Sequence, residues 1–167
     1  HRMALVGGQV RDQLLHQRHG HSLSSPADLD LVVEGDTAQL AQHLIQHCGE
    51  ERVRGLQHHS AFGTVALELD GRPLDLAMAR QEVYPLRAEN PQVKPGSLLD
   101  DLSRRDFTIN AMALDLLSGE LIDPHHGQLD LAAGQLVFLH EGSVGDDPTR
   151  VIRAARYAAL HLRSHRC

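Results

Sequence analysis

The sequence has no tryptophan, two tyrosines and three phenylalanines, so aromatic residues make up 3% of its 167 positions. Any core must therefore be aliphatic, which a hydrophobic content of 41% can supply. The two cysteines, Cys48 and Cys167, form neither a disulfide framework nor a C-x-x-C ligand pair, which leaves a reducing cytoplasm as the expected location. No stretch approaches the ~18 apolar residues of a membrane span, and no signal-peptide pattern is visible, so a soluble chain with no membrane partner is expected. A basic excess is missing too. Sixteen Lys and Arg stand against twenty-two Asp and Glu, a formal net charge of −6, which argues against a broad, non-specific nucleic-acid surface. The thirteen histidines include His58-His59 and His125-His126, pairs without the helical i,i+4 spacing of metal ligands. There is no internal repeat. The length suits one substantial domain with the start of a second.

What the sequence does contain begins at residues 26–35, PADLDLVVEG. Side chains two apart in a strand share a face, so Asp28 and Asp30 converge while Leu29, Leu31 and Val33 turn toward a core. Packing does not call for two like charges on one face; divalent cations bridged by carboxylates would, as in phosphoryl and nucleotidyl transfer. Taken alone, however, a D-x-D is more often a solvated strand edge.

The surrounding pattern is that of a mixed fold. Residues 3–6 read as a short strand, Gly7-Gly8 as a tight turn, and Val10, Leu14 and Leu15 as one face of a helix. Residues 19–27 are loop by composition, and Asp36 opens a helix carrying Leu40, Leu44 and Cys48 that Gly49 stops. Residues 62–69 and 73–77 alternate around Asp70-Gly71, a hairpin signal that places Asp75 on a paired strand. Residues 85–97, with three prolines, read as a mobile loop. A helical turn follows Arg104-Arg105-Asp106, then a strand at 112–116 that Ser118-Gly119 turns back through Leu121 and Ile122. Asp147-Pro148 is an N-cap with proline at the first helical position, and the helix it opens presents Arg150, Arg153 and Arg156 within one ~120° sector. Positive charge is thus concentrated in residues 146–167.

Gly7-Gly8 before a helix could cradle phosphate through backbone amides, with Arg11 one turn in, although most such turns are only turns. The spacing is neither G-x-G-x-x-G nor a Walker A loop, which removes support for dinucleotide-binding and ordinary ATPase folds.

Taken in order, LVGGQVRDQLL, DLDLVVEG, FGTVAL, LDLAMARQEVY, DDLSRRDFTINAMAL, LIDPHHGQLDL and DDPTRVIRAARYA resemble the head domain of bacterial class II tRNA nucleotidyltransferases. That group holds the CCA-adding enzymes, the separate CC-adding and A-adding enzymes and bacterial poly(A) polymerases, within the DNA polymerase beta superfamily. The resemblance covers nearly all of residues 3–159. It implies an α/β (α+β) fold, a small mixed, mainly antiparallel sheet with flanking helices. It implies that Asp28 and Asp30 bind catalytic Mg²⁺, and that Asp75 is a third catalytic acid. It also assigns Gly7, Gly8 and Arg11 to the triphosphate, and Arg105 and Asp106 to the ribose and nucleotide. Asp147 and Arg150, with Arg153 and Arg156 nearby, resemble an amino-acid template for the base. An aspartate accepts hydrogen bonds and an arginine only donates them, so the pair fits the amino donor and ring-nitrogen acceptor of C and A; G and U present the reverse order and leave polar groups unpaired.

The expected substrates are CTP, ATP and the tRNA 3′ end. Residues 1–145 would be the catalytic head, and residues 146–167 the start of a helical neck. Two departures matter. Asp146 stands where the family has Glu, and family chains run on through neck, body and tail domains, so a domain fragment that also lacks an initiator Met is expected. The segment at 80–97 favours a member that adds the terminal A, alone or after CC, over a CC-adding enzyme; a bacterial poly(A) polymerase is an alternative. The competing class is a head that binds nucleotide without turnover.

Overall fold

In a computed structural model of the chain, the residues described are 2–19, 29–59, 63–86 and 91–164. Strand β1 (Arg2–Val6) leads through Gly7, at φ 70°, into helix α1 (Gly8–His19). Strand β2 (Leu29–Glu34) is followed by α2 (Thr37–Cys48), whose N-cap Asp36 accepts the amides of Ala38 and Gln39 and whose C-cap is Gly49, also at positive φ. Then come β3 (Val53–His59), β4 (Thr64–Leu69) and β5 (Arg72–Met78). Asp70 and Gly71, at φ 52° and 77°, make the β4–β5 turn that the sequence signals.

The chain continues through β6 (Arg80–Val83), β7 (Gln92–Pro95), α3 (Leu98–Ser103), a 3₁₀ turn (Thr108–Asn110), β8 (Ala113–Asp115) and β9 (Leu121–Ile122). Helices α4 (Gly127–Ala133), α5 (Ser143–Asp146) and α6 (Thr149–Ser164) complete it. Seven strands form one sheet in the order β3-β4-β5-β2-β1-β8-β9, antiparallel except for the β2–β5 pair. The expected mixed, mainly antiparallel sheet with flanking helices is observed.

Alternation along the strands sends residues to two covered faces. Val33, Leu67, Leu74 and Leu76 pack with α2 through Ala41, joined by Leu29 and Leu31, so the predicted inward side of the D-x-D strand is correct. On the other face the smaller side chains Ala4, Val6, Ala79 and Ala113 meet Leu98 and Leu102 of α3. A third cluster, with Val10, Phe107, Ile109, Met112 and Leu131 at its centre, takes in Ala154 and Tyr157 of α6.

Two expectations change. Residues 85–97 are not a loop throughout: β7 pairs with β6 from Arg80 opposite Pro95 to Val83 opposite Gln92, while residues 87–90 lie outside those described. The prolines disguise the strand, but Pro95 ends the ladder, where a missing N–H costs little. Helix α3 was also not foreseen. At six residues it is too short for periodicity to reveal, yet Ser97 and Asp100 form a full capping box around buried Leu98 and Leu102. The expected loop at 19–27 falls mostly outside the described residues.

Helix α4 packs so closely on the 3₁₀ turn that a Cβ on Gly127 would lie 2.3 Å from the Thr108 carbonyl oxygen. Thr108 Oγ1 also donates to Asp130 at 2.6 Å. Gly127→Ala should therefore destabilise the fold by about 2–3 kcal/mol and lower Tm by roughly 4–12 °C. Gly119→Ala, at φ 71° but with open space around it, should cost only about 1 kcal/mol. Urea unfolding of the two variants checks the order.

Candidate active site

Helix α2 carries the chain back across one face so that β5 returns parallel to β2, and in that register Asp30 sits directly beside Asp75. Paired positions on neighbouring strands share a face about 4.8 Å apart, so the two carboxylates stand side by side on the face away from α2. Asp28 lies outside the described residues. Beside Asp30 opens a cavity of about 430 Å³ lined by Gly7 and Gly8 from the β1–α1 turn, Arg80, Glu82, Tyr84 and Pro91 from the β6–β7 hairpin region, and Arg104, Arg105, Asp106 and Asn110 from the segment after α3. Asp147, Arg150, Arg153 and Tyr157 close it. Of the predicted residues that are described, Asp75, Arg11 and Arg156 are not part of this lining.

The arginines are held by carboxylates beneath them. Asp101, with no exposed side-chain area, divides its oxygens: Oδ1 accepts from Arg104 Nε and Nη2 at 3.0 and 2.6 Å, and Oδ2 from Arg105 Nε and Nη2 at 3.3 and 2.9 Å. Arg105 Nη1 lies 3.0 Å from where a Gly7 Cβ would stand, so a side chain at position 7 would collide with the arginine as well as strain the turn. Glu82, nearly buried, takes Arg80 Nη2 at 2.7 Å, Arg104 Nη1 at 3.1 Å and the Tyr84 hydroxyl at 2.9 Å. Burial, then the bond to Glu82, pushes the Tyr84 phenol up to about 12, so it remains a donor.

A second chain of contacts crosses the floor. Asn110, buried, accepts from Arg11 Nη1 at 2.8 Å and donates to Asp106 Oδ1 at 3.1 Å, which also takes the Phe107 amide. Arg153 Nη2 is 2.7 Å from Asp106 Oδ2, close enough for an ion pair although its N–H is not aligned as a hydrogen bond. Arg105 and Asp106 do not pair with one another. Arg11 is itself buried, 5.1 Å from the Tyr157 ring centroid.

Asp147 and Arg150 are adjacent but loosely coupled, Nε to Oδ2 being 3.9 Å. Asp147 Oδ1 caps α6 through the Thr149 hydroxyl and amide, and these bonds hold its carboxyl below the usual range despite partial burial. Arg150 is buried and donates to Ser143 Oγ and to the Arg104 carbonyl at 3.1 Å. Those two acceptors hold its guanidinium, while Asp146 lies 3.8 Å from His140. Arg156 is exposed on α6.

Sequence reasoning missed Glu82, Tyr84, Asp101, Asn110 and Tyr157. Asp101 was within reach, since its i,i+3 and i,i+4 spacing to Arg104 and Arg105 is the helical ion-pair pattern. The others depend on contacts between distant segments. No group of three or more His, Cys, Asp or Glu side chains with metal-holding geometry occurs among the described residues. Among them, too, no helix is long and apolar enough to cross a membrane.

Residues 3–137 match the family described as the poly(A) polymerase head domain. The chain is 45% identical over 161 residues to a CC-adding tRNA nucleotidyltransferase of Deinococcus radiodurans, covering 94% of this chain and 40% of that one. It is 39% identical over 159 residues to an A-adding tRNA nucleotidyltransferase of Halalkalibacterium halodurans, covering 93% and 35%. The crystal structure of a tRNA nucleotidyltransferase complexed with a primer tRNA and an incoming ATP analog superposes with a TM-score of 0.75 at 39% identity, over 94% of this chain and 41% of that one. The chain thus spans two fifths or less of the length of these two curated relatives.

Asp101→Asn leaves two part-buried arginines facing a neutral amide, so it should destabilise the fold by about 3–5 kcal/mol in chemical denaturation, far more than Asp100→Asn at the exposed capping box, where the amide oxygen can still accept.

Proposed function

The chain belongs to the poly(A) polymerase head-domain family, with its DNA polymerase beta-like nucleotidyltransferase fold, and from that premise we propose that it is the catalytic head of an enzyme that adds C or A from CTP or ATP to the 3′ end of tRNA. The observation that carries this reading is the convergence of Asp30, the Gly7-Gly8 turn and the Asp147/Arg150 pair on one cavity, with Asp75 in register beside Asp30. Residues 1–145 form the head in this proposal and residues 146–167 the start of the neck, with α6 serving both.

The donor set at β2 and β5 fits Mg²⁺. Two adjacent carboxylates offer the hard oxygen ligands that Mg²⁺ takes. Asp30 and Asp75, with Asp28, would hold the ions, which when bound neutralise the triphosphate and activate the attacking hydroxyl. The rest falls to the chain's own side chains and backbone. Gly7 and Gly8 bring the amides at the start of α1 against the phosphates. Arg105, fixed by Asp101, supplies positive charge above that turn, and Asp106 accepts from the sugar. Asp147 accepts the exocyclic amino group of C or A while Arg150 donates to N3 or N1; G and U would leave both groups mismatched. These donors are already oriented, which is the form of electrostatic assistance that costs least reorganisation during reaction.

The length of the segment at 80–97 supports addition of the terminal A, although relatives named for C addition and for A addition both match. The alternative of a head that binds nucleotide without turnover is supported by the −6 charge, which leaves few phosphate contacts for RNA.

Asp30→Ala and Asp75→Asn, tested in a protein that joins this head to domains that hold tRNA, should each reduce single-turnover addition by at least ~10³-fold while thermal unfolding stays near wild type; incorporation within a few-fold of wild type would remove the two-metal role. Arg150→Ala should erode the preference for CTP and ATP over UTP and GTP more than it weakens binding overall, and an unchanged order of kcat/KM for the four nucleotides would defeat the base-reading assignment.

A further inference from the structure

We propose that Tyr157 is a positioning residue for base selection, fixing the helix that reads the base against the turn that faces the triphosphate. This rests on the nucleotide site proposed above. A nucleotide has a set length, so the discrimination of a base edge depends on how far Asp147 and Arg150 stand from Gly7 and Gly8. Tyr157 joins the two. It lies on α6 seven residues after Arg150 and four after Arg153, so all three share one side of the helix. Its ring lines the cavity and packs edge-on against buried Phe107, centroids 5.7 Å apart at 82°.

The Arg11 guanidinium lies over that ring at 5.1 Å. Arg11 sits in the first turn of α1, its amide donating to the Gly7 carbonyl at 3.2 Å, and its side chain is locked by Asn110 Oδ1 and Asp12 Oδ1, each at 2.8 Å. A cation over an aromatic face, here with Arg11 buried and Tyr157 part-buried, is a directional contact worth more than its counterpart at the surface. Two polar ties also join α6 to the rest of the cavity: Arg150 donates to the Arg104 carbonyl at 3.1 Å on the far side, and Arg153 meets Asp106 through a side chain that is 49% exposed and therefore screened. On the side of α6 that faces the Gly7-Gly8 turn, the ring of Tyr157 is the contact best shielded from water, and Arg11 acts on the base through it, from behind the cavity.

The test is the affinity of the chain for CTP, ATP, UTP and GTP with Mg²⁺, expressed as the preference for C and A over U and G, with inorganic triphosphate as a control for the phosphate turn. Tyr157→Phe keeps the ring and should hold the preference within about two-fold. Tyr157→Leu keeps apolar packing on Phe107 but removes the π face, and should lower the preference about 3–10-fold with triphosphate affinity nearly unchanged. In an Arg11→Gln background Tyr157→Leu should cause no further loss. A purely structural role would weaken all four nucleotides alike and leave their ratio intact, and that result overturns the proposal. So would an equal loss with and without Arg11. If Tyr157→Leu does not fold, Arg11→Gln alone, which leaves the Tyr157–Phe107 packing in place, should lower the preference to the same extent, and an unchanged ratio there also overturns it. A wild-type chain that binds all four nucleotides equally would remove the base-reading assignment and this inference together, whereas a preference that survives Tyr157→Leu removes the inference alone.

Discussion

The site depends on one strand pairing. In a sheet otherwise built from antiparallel neighbours, β2 and β5 run parallel, and that single exception puts Asp30 beside Asp75. The cause is α2. A helix after β2 returns the chain to its starting end, so β3 leaves in the direction of β2, the next hairpin reverses β4, and the Asp70-Gly71 turn reverses it again into β5. The leucines and valines that hold α2 on one face are the alternate residues to the two aspartates. The apolar packing of one side thereby specifies the acidic geometry of the other, and a slip of one residue would exchange the two faces.

Beside that acidic pair the cavity is lined by five arginines, Arg80, Arg104, Arg105, Arg150 and Arg153, most of them held by acceptors. Asp101 holds Arg104 and Arg105, Glu82 holds Arg80 and shares Arg104, and Asp106 faces a fourth arginine, Arg153 of α6. Arginine suits such a role because its planar fork can satisfy a carboxylate and still present donors elsewhere. Part-buried pairs of this kind add little net stability compared with apolar packing, but removing one member leaves an uncompensated charge. Their contribution is geometric: the donors around the cavity are held in fixed orientations.

The same network joins pieces that are remote in the chain. Arg104 touches Glu82 of the hairpin and Asp101 of α3, while its carbonyl receives Arg150 of α6. Asn110 lies between Arg11 of α1 and Asp106. Asp147 and Arg150 are thus supported by two separate routes, one polar along the β6–β7 side and one aromatic through Tyr157.

Much of this was legible in the sequence. Alternation marked the D-x-D strand, Asp70-Gly71 the hairpin, Asp36 and Asp147 the helix starts, and the ordered motifs the family. These signals are local, set by backbone preferences and by which side chains repeat along one element. The β6–β7 hairpin was hidden by its prolines and α3 by its length, because neither a four-residue strand nor a six-residue helix repeats often enough to declare a period. What only the tertiary structure decided is which charges meet. Arg105 beside Asp106 in sequence turns to Asp101, and Asp106 turns to Arg153, because a side chain's partner is fixed by where packed elements bring it and by which buried charge would otherwise stand alone.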